Sequence, residues 1–156
     1  MRALLQRVTE ASVSVEGETV GRIGRGWLVF LGVGRGDTDA VAAALAEKVA
    51  LLRCFEDEQG KTNLSAADVG AAFLVVSQFT LYADTSRGRR PGFTNAAPPD
   101  EARRLVDYFG DELVRRGFAV ERGRFGGEMR VSLVNEGPFT IWLDTQSGDA
   151  ALPRAP

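Results

Sequence analysis

Residues Ala11, Ser12, Val13, Ser14 and Val15 alternate apolar and polar with period two, and after Glu16, Gly17 and Glu18 the stretch 19–23 continues in the same style. This pattern predicts a half-buried hairpin near the start of the domain. The run 27–33 is apolar throughout, too short to cross a membrane and rich in β formers, so it predicts a central strand buried on both faces. Residues 72–77 predict a second buried strand, and 119–124, 129–134 and 139–143 predict three more.

Two helices interrupt these strands. Behind the N-cap cluster Asp37, Thr38 and Asp39, the apolar residues Val41, Leu45, Val49 and Leu52 fall at helical spacing, predicting a helix to about Arg53. A second helix opens at Pro98, Pro99 and Asp100, and its stripe is Ala102, Leu105, Val106, Phe109, Leu113 and Val114. Arg115 and Arg116 complement its terminal dipole, and Gly117 closes it. The order strands, helix, strand, helix, strands predicts a single α/β domain with a mixed sheet, because strict β–α alternation fails at both ends. Residues 146–156 lack a periodic apolar face and read as a disordered tail, which leaves 1–145 as the domain.

The chain has 156 residues, no histidine and one cysteine, Cys54. A Ser–His–Asp triad, a Cys–His pair, a Cys/His zinc site and an internal disulfide are therefore excluded within the chain. Arg7 interrupts the N-terminus before any long apolar run, so neither a signal peptide nor a membrane span is expected, and the chain reads as cytoplasmic. The formal net charge of −2 argues against a surface covered in nucleic-acid contacts, yet Arg87, Arg89 and Arg90 form a local basic loop with no acid from 86 to 92.

Several segments have a plain structural reading. Gly32, Gly34 and Gly36 follow a strand, but Asp37 stands where a dinucleotide fingerprint needs glycine, so a tight turn is expected. The acidic stretch 55–61 reads as a solvated turn, and Asp84 and Asp144 as turn residues.

Others carry chemistry. Ser77, Gln78, Phe79 and Thr80 sit at the end of a buried strand, where the last amides lose their ladder partners and can face a substrate oxygen. A hydroxyl nucleophile at Ser77 or Thr80 would need a base, and Lys48 and Lys61 lie on a separate acidic stretch, which favours the amides of Phe79 and Thr80 as an oxyanion hole. The segment 135–140 contains Gly137-Pro138 and reads as a turn between two strands, with a cis bond open to it. Arg87, Arg89 and Arg90, with Phe93 for stacking, could clamp the phosphates of an RNA end.

Together with the opening Met1-Arg2-Ala3-Leu4-Leu5-Gln6-Arg7-Val8, the segments S-Q-F-T-L at 77–81 and N-E-G-P-F-T at 135–140 resemble the D-aminoacyl-tRNA deacylase family, flanking Arg89-Arg90-Pro91 in the same order. The resemblance runs from Met1 to about Asp144. It implies a partly barrel-like sheet and hydrolysis of the ester between a D-amino acid, or mischarged glycine, and the 3′-terminal ribose of tRNA, a proofreading step in translation. It further implies a homodimer in which a cis Gly137-Pro138 of each subunit enters the partner's pocket and rejects L side chains, with Arg7 fixing that turn. Ser77, Gln78, Phe79 and Thr80 become the floor of the site, and the substrate's 2′-hydroxyl activates water without metal or cofactor. Gly92 departs from the pattern, since serine is expected after Arg90-Pro91.

Two other classes stand beside this reading. One is a noncatalytic RNA-binding module built on the arginine loop, the other a small-molecule esterase with Thr80 as nucleophile.

Overall fold

A computed structural model describes residues 1–147 of the chain. Its framework is a 14-residue strand β1, Arg2–Val15, that serves two neighbours along one edge. The first half pairs with β3, Gly26–Gly32, and the second half with β2, Glu18–Ile23, both antiparallel. The hairpin turn falls at Glu16 and Gly17, both with positive φ (52° and 87°), the backbone that lets a two-residue turn follow the twist of its strands.

The other edge of β1 is covered along nearly its whole length by the last strand, residues Met129–Asp144. Here the structure corrects the sequence reading: the segment 135–140 does not separate two strands but lies inside one. The pairing is nonetheless interrupted there: Thr140 pairs with Gln6 and Asn135 with Val8, residues 136–139 have no partner on β1, and a second register shift follows between Val8 and Glu10.

On its far side β3 pairs in parallel with Ala72–Ser77, which pairs in parallel with Val120–Arg122. A short hairpin, Phe55–Glu56 with Thr62–Leu64, lies outside the main sheet. In chain order these strands are β4 (Phe55–Glu56), β5 (Thr62–Leu64), β6 (Ala72–Ser77), β7 (Val120–Arg122) and β8 (Met129–Asp144). The main sheet is thus mixed and curls toward closure. A Cβ at Gly21 of β2 would stand 3.0 Å from the Arg122 carbonyl of β7 and 3.1 Å from Leu74 of β6, so glycine there eases a close approach of the strands.

Helices α1, Asp39–Leu51, and α2, Pro99–Arg115, close the outer face. Thr38 caps α1 by accepting from the Val41 amide, and a proline opens α2 where no intrahelical donor is needed. The main core lies between sheet and helices around Trp27, Phe73, Leu45, Leu105 and Phe109, while a smaller one fills the concave side around Val13, Leu28 and Leu74.

Three local expectations need correction. Val114, placed on the apolar stripe of α2, is 50% exposed, because the stripe's drift around the helix turns it outward beyond Leu113. Helix α1 stops at Leu51, with Leu52 already extended. Phe55 is no part of a solvated turn; it is fully buried and meets Trp27 edge to face at 5.4 Å, and only 57–61 forms the exposed turn. The expected tail at 146–156 falls, beyond Ser147, outside the described residues.

The chain start is tied into this frame. The Met1 ammonium donates to Asp37 Oδ1 at 2.7 Å, both groups are buried, and Asp37 Oδ2 accepts from the Gly34 amide at 2.6 Å. The glycine segment is therefore a turn, as its spacing predicts, folded around an aspartate. Among the described residues no helix is long and apolar enough to cross a membrane.

Candidate active site

Strand β6 ends at Ser77, opposite Leu31 of β3. The Gln78 amide makes one more bond, to the Leu31 carbonyl at 2.8 Å, and the chain then enters a single 3-10 turn, Phe79–Tyr82. In such a turn the first amides have no residue three positions back to accept from them in helical geometry. Leu81 donates to Gln78 O, whereas the amides of Phe79 and Thr80 find no backbone acceptor among the described residues. Two adjacent donors thus stand free at the mouth of a buried strand.

Beside them opens a cleft of about 630 Å³. Ser77, Gln78 and Phe79 form one wall, and Phe93, Ala102 and Phe125 contribute to the remainder. The Phe79 ring is 57% exposed and meets Phe93 edge to face at 4.9 Å. The lining is largely apolar with a few polar groups from one strand end, the usual make-up of a small-ligand pocket.

Thr80 lacks a base. Its Oγ1 accepts from Gln78 Nε2, and among the described residues no lysine or carboxylate is bonded to it. A hydroxyl held as an acceptor with nothing to take its proton is a poor nucleophile.

The second motif lies elsewhere on the chain surface. Gly137 and Pro138 are exposed, their peptide bond is cis, and neither lines the cleft. Arg7 is only 4% exposed and anchors this turn from beneath. Its Nη1 donates to Cys54 O at 2.6 Å, its Nε to Glu136 O at 3.1 Å, and its guanidinium lies over the Phe139 ring at 4.6 Å. The Glu136 carboxylate is 3.4 Å from Arg7 and 3.6 Å from Arg25. Burial pushes the Cys54 thiol up, with the nearby Arg7 charge opposing.

Asn135 opens the N-E-G-P-F-T motif, and its role, which the motif alone does not assign, is structural. Its Nδ2 donates to both Arg7 O and Phe139 O at 3.0 Å, and its Oδ1 accepts from the Phe139 amide at 2.9 Å. An Asn just ahead of a Gly-Pro turn is the available signal, because its side chain can replace lost backbone partners.

Arg87, Arg89 and Arg90 sit on an exposed loop closed by the mutual backbone pair of Asp84 and Gly92, at 2.8 and 2.9 Å. Backbone alone makes that closure, so the loop does not need a side chain at Gly92. Asp84 is a turn residue: Oδ1 accepts from the Ser86 amide at 2.9 Å, and bonds from the Ser86 side chain and backbone hold its carboxyl below the ordinary value. Asp144 is structural too, accepting from Arg2 at 2.9 Å and from Gln146 at 3.0 Å. Among the described residues no three His, Cys, Asp or Glu side chains gather as a metal-ligand group.

Comparison with known proteins gives this arrangement a context. The model of the D-Tyr-tRNA(Tyr) deacylase family matches residues 4–144. A D-aminoacyl-tRNA deacylase of Roseiflexus castenholzii is 60% identical over 145 residues, covering 93% of this chain and 92% of the relative. One of Thermomicrobium roseum is 61% identical, covering 93% and 94%. Among solved structures, a protein described as c-Myc DNA Unwinding Element Binding Protein superposes with a TM-score of 0.88 at 39% identity, covering 94% of this chain and all of its own. A probable eukaryotic D-amino acid tRNA deacylase shares the fold, with a TM-score of 0.78 at 21% identity over 91% of this chain and 97% of its own.

Proposed function

Since the chain belongs to the D-Tyr-tRNA(Tyr) deacylase family and is a hydrolase of the aminoacyl-tRNA ester bond, we propose that it cleaves D-aminoacyl-tRNA in a site completed by a second copy of itself. The observation that carries this reading is a separation. Phe79, whose amide is free, lines the cleft and Thr80 follows it in the same turn, while the Gly137-Pro138 turn is exposed on the same chain and lines none of it. A partner subunit's turn can reach what its own chain's turn does not.

In this reading the ester carbonyl of the terminal nucleotide sits against the Phe79 and Thr80 amides. Attack by water forms a tetrahedral carbon whose negative oxygen those two donors stabilise, each worth about 3 kcal/mol in sites of this type. The ribose 2′-hydroxyl of the substrate orients the water, the ester C–O bond breaks, and the ribose oxygen leaves with a proton. Ser77 and Gln78 shape the floor of the cleft. No imidazole is required, consistent with a chain that has no histidine.

The partner's Gly137-Pro138 backbone occupies the space that an L side chain would need, so selection works by exclusion. A D side chain points away from it, and glycine has none to exclude, which makes glycyl-tRNA a second substrate. Arg7 holds the turn in register, and Arg87, Arg89 and Arg90 contact tRNA phosphates. Residues 1–145 act as one catalytic domain in the cytoplasm.

The test offers D-tyrosyl-, L-tyrosyl- and glycyl-tRNA to the wild-type chain and to Thr80→Val. Hydrolysis of the D and glycyl esters alone, with appreciable rate retained in the variant, supports the reading. Binding of all three without cleavage would leave a noncatalytic RNA-binding module, and a dead Thr80→Val would restore the nucleophile.

A further inference from the structure

We propose that Arg35 and Arg103, on the rim of the cleft, bind the phosphodiester backbone of the tRNA 3′ strand just upstream of its terminal nucleoside. This rests on the reading of the cleft as the ester-hydrolysis site. A volume of about 630 Å³ suits a single nucleoside with its ester, so the nucleotides before it must pass outward over the rim.

The two arginines differ in charge balance from the other arginines of α2 and from Arg122 of β7. On and around α2, Arg104 is paired with Asp39, Arg115 and Arg116 with Glu112, and Arg122 with Asp111. Arg103 makes no ion pair among the described residues, although Asp107 lies one turn further along the same helix. Its guanidinium lies over the ring of Phe125 at 4.9 Å, and Phe125 lines the cleft. Stacking of this kind fixes a guanidinium plane while leaving its N–H edge for an oxyanion.

Arg35 reaches the same rim from the loop between β3 and α1. Its backbone amide donates to Asn95 O at 3.0 Å and its Nε to Thr94 O at 2.6 Å, which holds the side chain along the lip, and it too makes no ion pair among the described residues. The first turn of α2 does carry Asp100 and Glu101. With an overall charge of −2 the protein has no general attraction for a polyanion, so two positioned, unneutralised guanidinium groups beside the cleft are the chemistry that would recognise a phosphate pair.

The experiment measures kcat/KM against salt for D-tyrosyl-tRNA and for D-tyrosyl-adenosine, which lacks the upstream phosphates. The chains compared are wild type, Arg35→Ala, Arg103→Ala, the double variant, and Arg22→Ala, an exposed arginine away from this cleft. The double variant should lose about tenfold or more on the tRNA at low salt, and its salt dependence should be shallower by about 1.4 in the log–log slope, about 0.7 for each single-strand phosphate contact. Cleavage of D-tyrosyl-adenosine should stay within about twofold, and Arg22→Ala should alter neither substrate. Equal losses on both substrates, unchanged tRNA kinetics, or the same loss from Arg22→Ala would overturn the assignment. If wild type cleaves neither substrate, the reading of the cleft itself fails, and the rim assignment with it.

Discussion

The carboxamide of Asn135 grips both backbone polar groups of Phe139, accepting from its amide at 2.9 Å and donating to its carbonyl at 3.0 Å. The three residues between them include the exposed Gly137-Pro138 pair. Because the same Nδ2 also donates to Arg7 O, the turn is fastened at its base to strand β1. A projecting segment held this way can act as a steric stop, since displacing it would leave partly buried amide and carbonyl groups unpaired.

Replacing Asn135 by Ala removes this clasp while leaving the cleft intact. The expected outcome is a drop in D-over-L discrimination by about tenfold, driven by faster cleavage of L-tyrosyl-tRNA, with a stability loss of about 1–3 kcal/mol from unmade hydrogen bonds. Parallel hydrolysis assays on both diastereomers and urea unfolding check the two parts separately.

The role assigned to the Phe79 amide is open to a backbone substitution. Phe79 opens the 3-10 turn, its N–H has no backbone acceptor among the described residues, and Gln78 before it has φ −146° and ψ 79°, outside the helical region that proline disfavours in its predecessor. Phe79→Pro should therefore fold and lose about 100-fold or more in kcat, the effect of deleting one oxyanion donor. Phe79→Ala, which keeps the N–H, should lose far less, and single-turnover rates on D-tyrosyl-tRNA separate the two.

Asp37→Ala should destabilise the chain by about 3–5 kcal/mol, because it leaves the buried Met1 ammonium without its anion and the Gly34 amide without its acceptor. Denaturant unfolding gives the difference.

Acid stability follows from Asp68. Its Oδ2 accepts from the Ser65 amide at 2.8 Å and hydroxyl at 2.7 Å, and these bonds hold its carboxyl below the ordinary 3.8. A carboxyl depressed in the folded state binds fewer protons there than when unfolded. Its stabilisation is complete above 3.8 and disappears as pH falls through the lower folded value. Thermal midpoints should fall below about pH 4, and Asp68→Asn should make that fall shallower. With no histidine in the chain, no imidazole step should interrupt the profile between pH 5 and 8.

Elements with a strong local pattern were legible in the sequence: the hairpin at Glu16-Gly17, the buried strands β3 and β6, and α2 between its proline and Gly117. Only the second half of strand β1, from Ala11 to Val15, carries a period-two pattern. Its first half, with Arg2, Gln6 and Arg7 among apolar residues, is fixed by partners on both edges and by the burial of Arg7. The split of β8 at Gly-Pro follows from local turn chemistry, and residues 136–139 do leave the ladder there, but pairing with β1 resumes on both sides and makes the whole segment one strand.

The candidate site divides the same way. Ser77, Gln78, Phe79 and Thr80 are contiguous, and their position after a buried strand marks them. The clasp of Asn135 on Phe139 and the Met1–Asp37 pair depend on side-chain geometry or on contacts between residues 36 positions apart, which no periodicity encodes.

Whether the turn of one chain serves the cleft of another is decided by mixing two defective chains. Gly137 has φ +148°, and a Cβ there would stand 2.6 Å from the Phe139 amide nitrogen, so Gly137→Ala distorts the turn but leaves its own cleft whole. Phe79→Pro supplies the opposite defect. Coexpressing Gly137→Ala with an excess of Phe79→Pro, and measuring cleavage of D- against L-tyrosyl-tRNA, should show the selectivity of the surviving clefts rising from the low value of Gly137→Ala alone to that of wild type. Selectivity that stays at the Gly137→Ala value, with mixed assemblies present, would contradict the account.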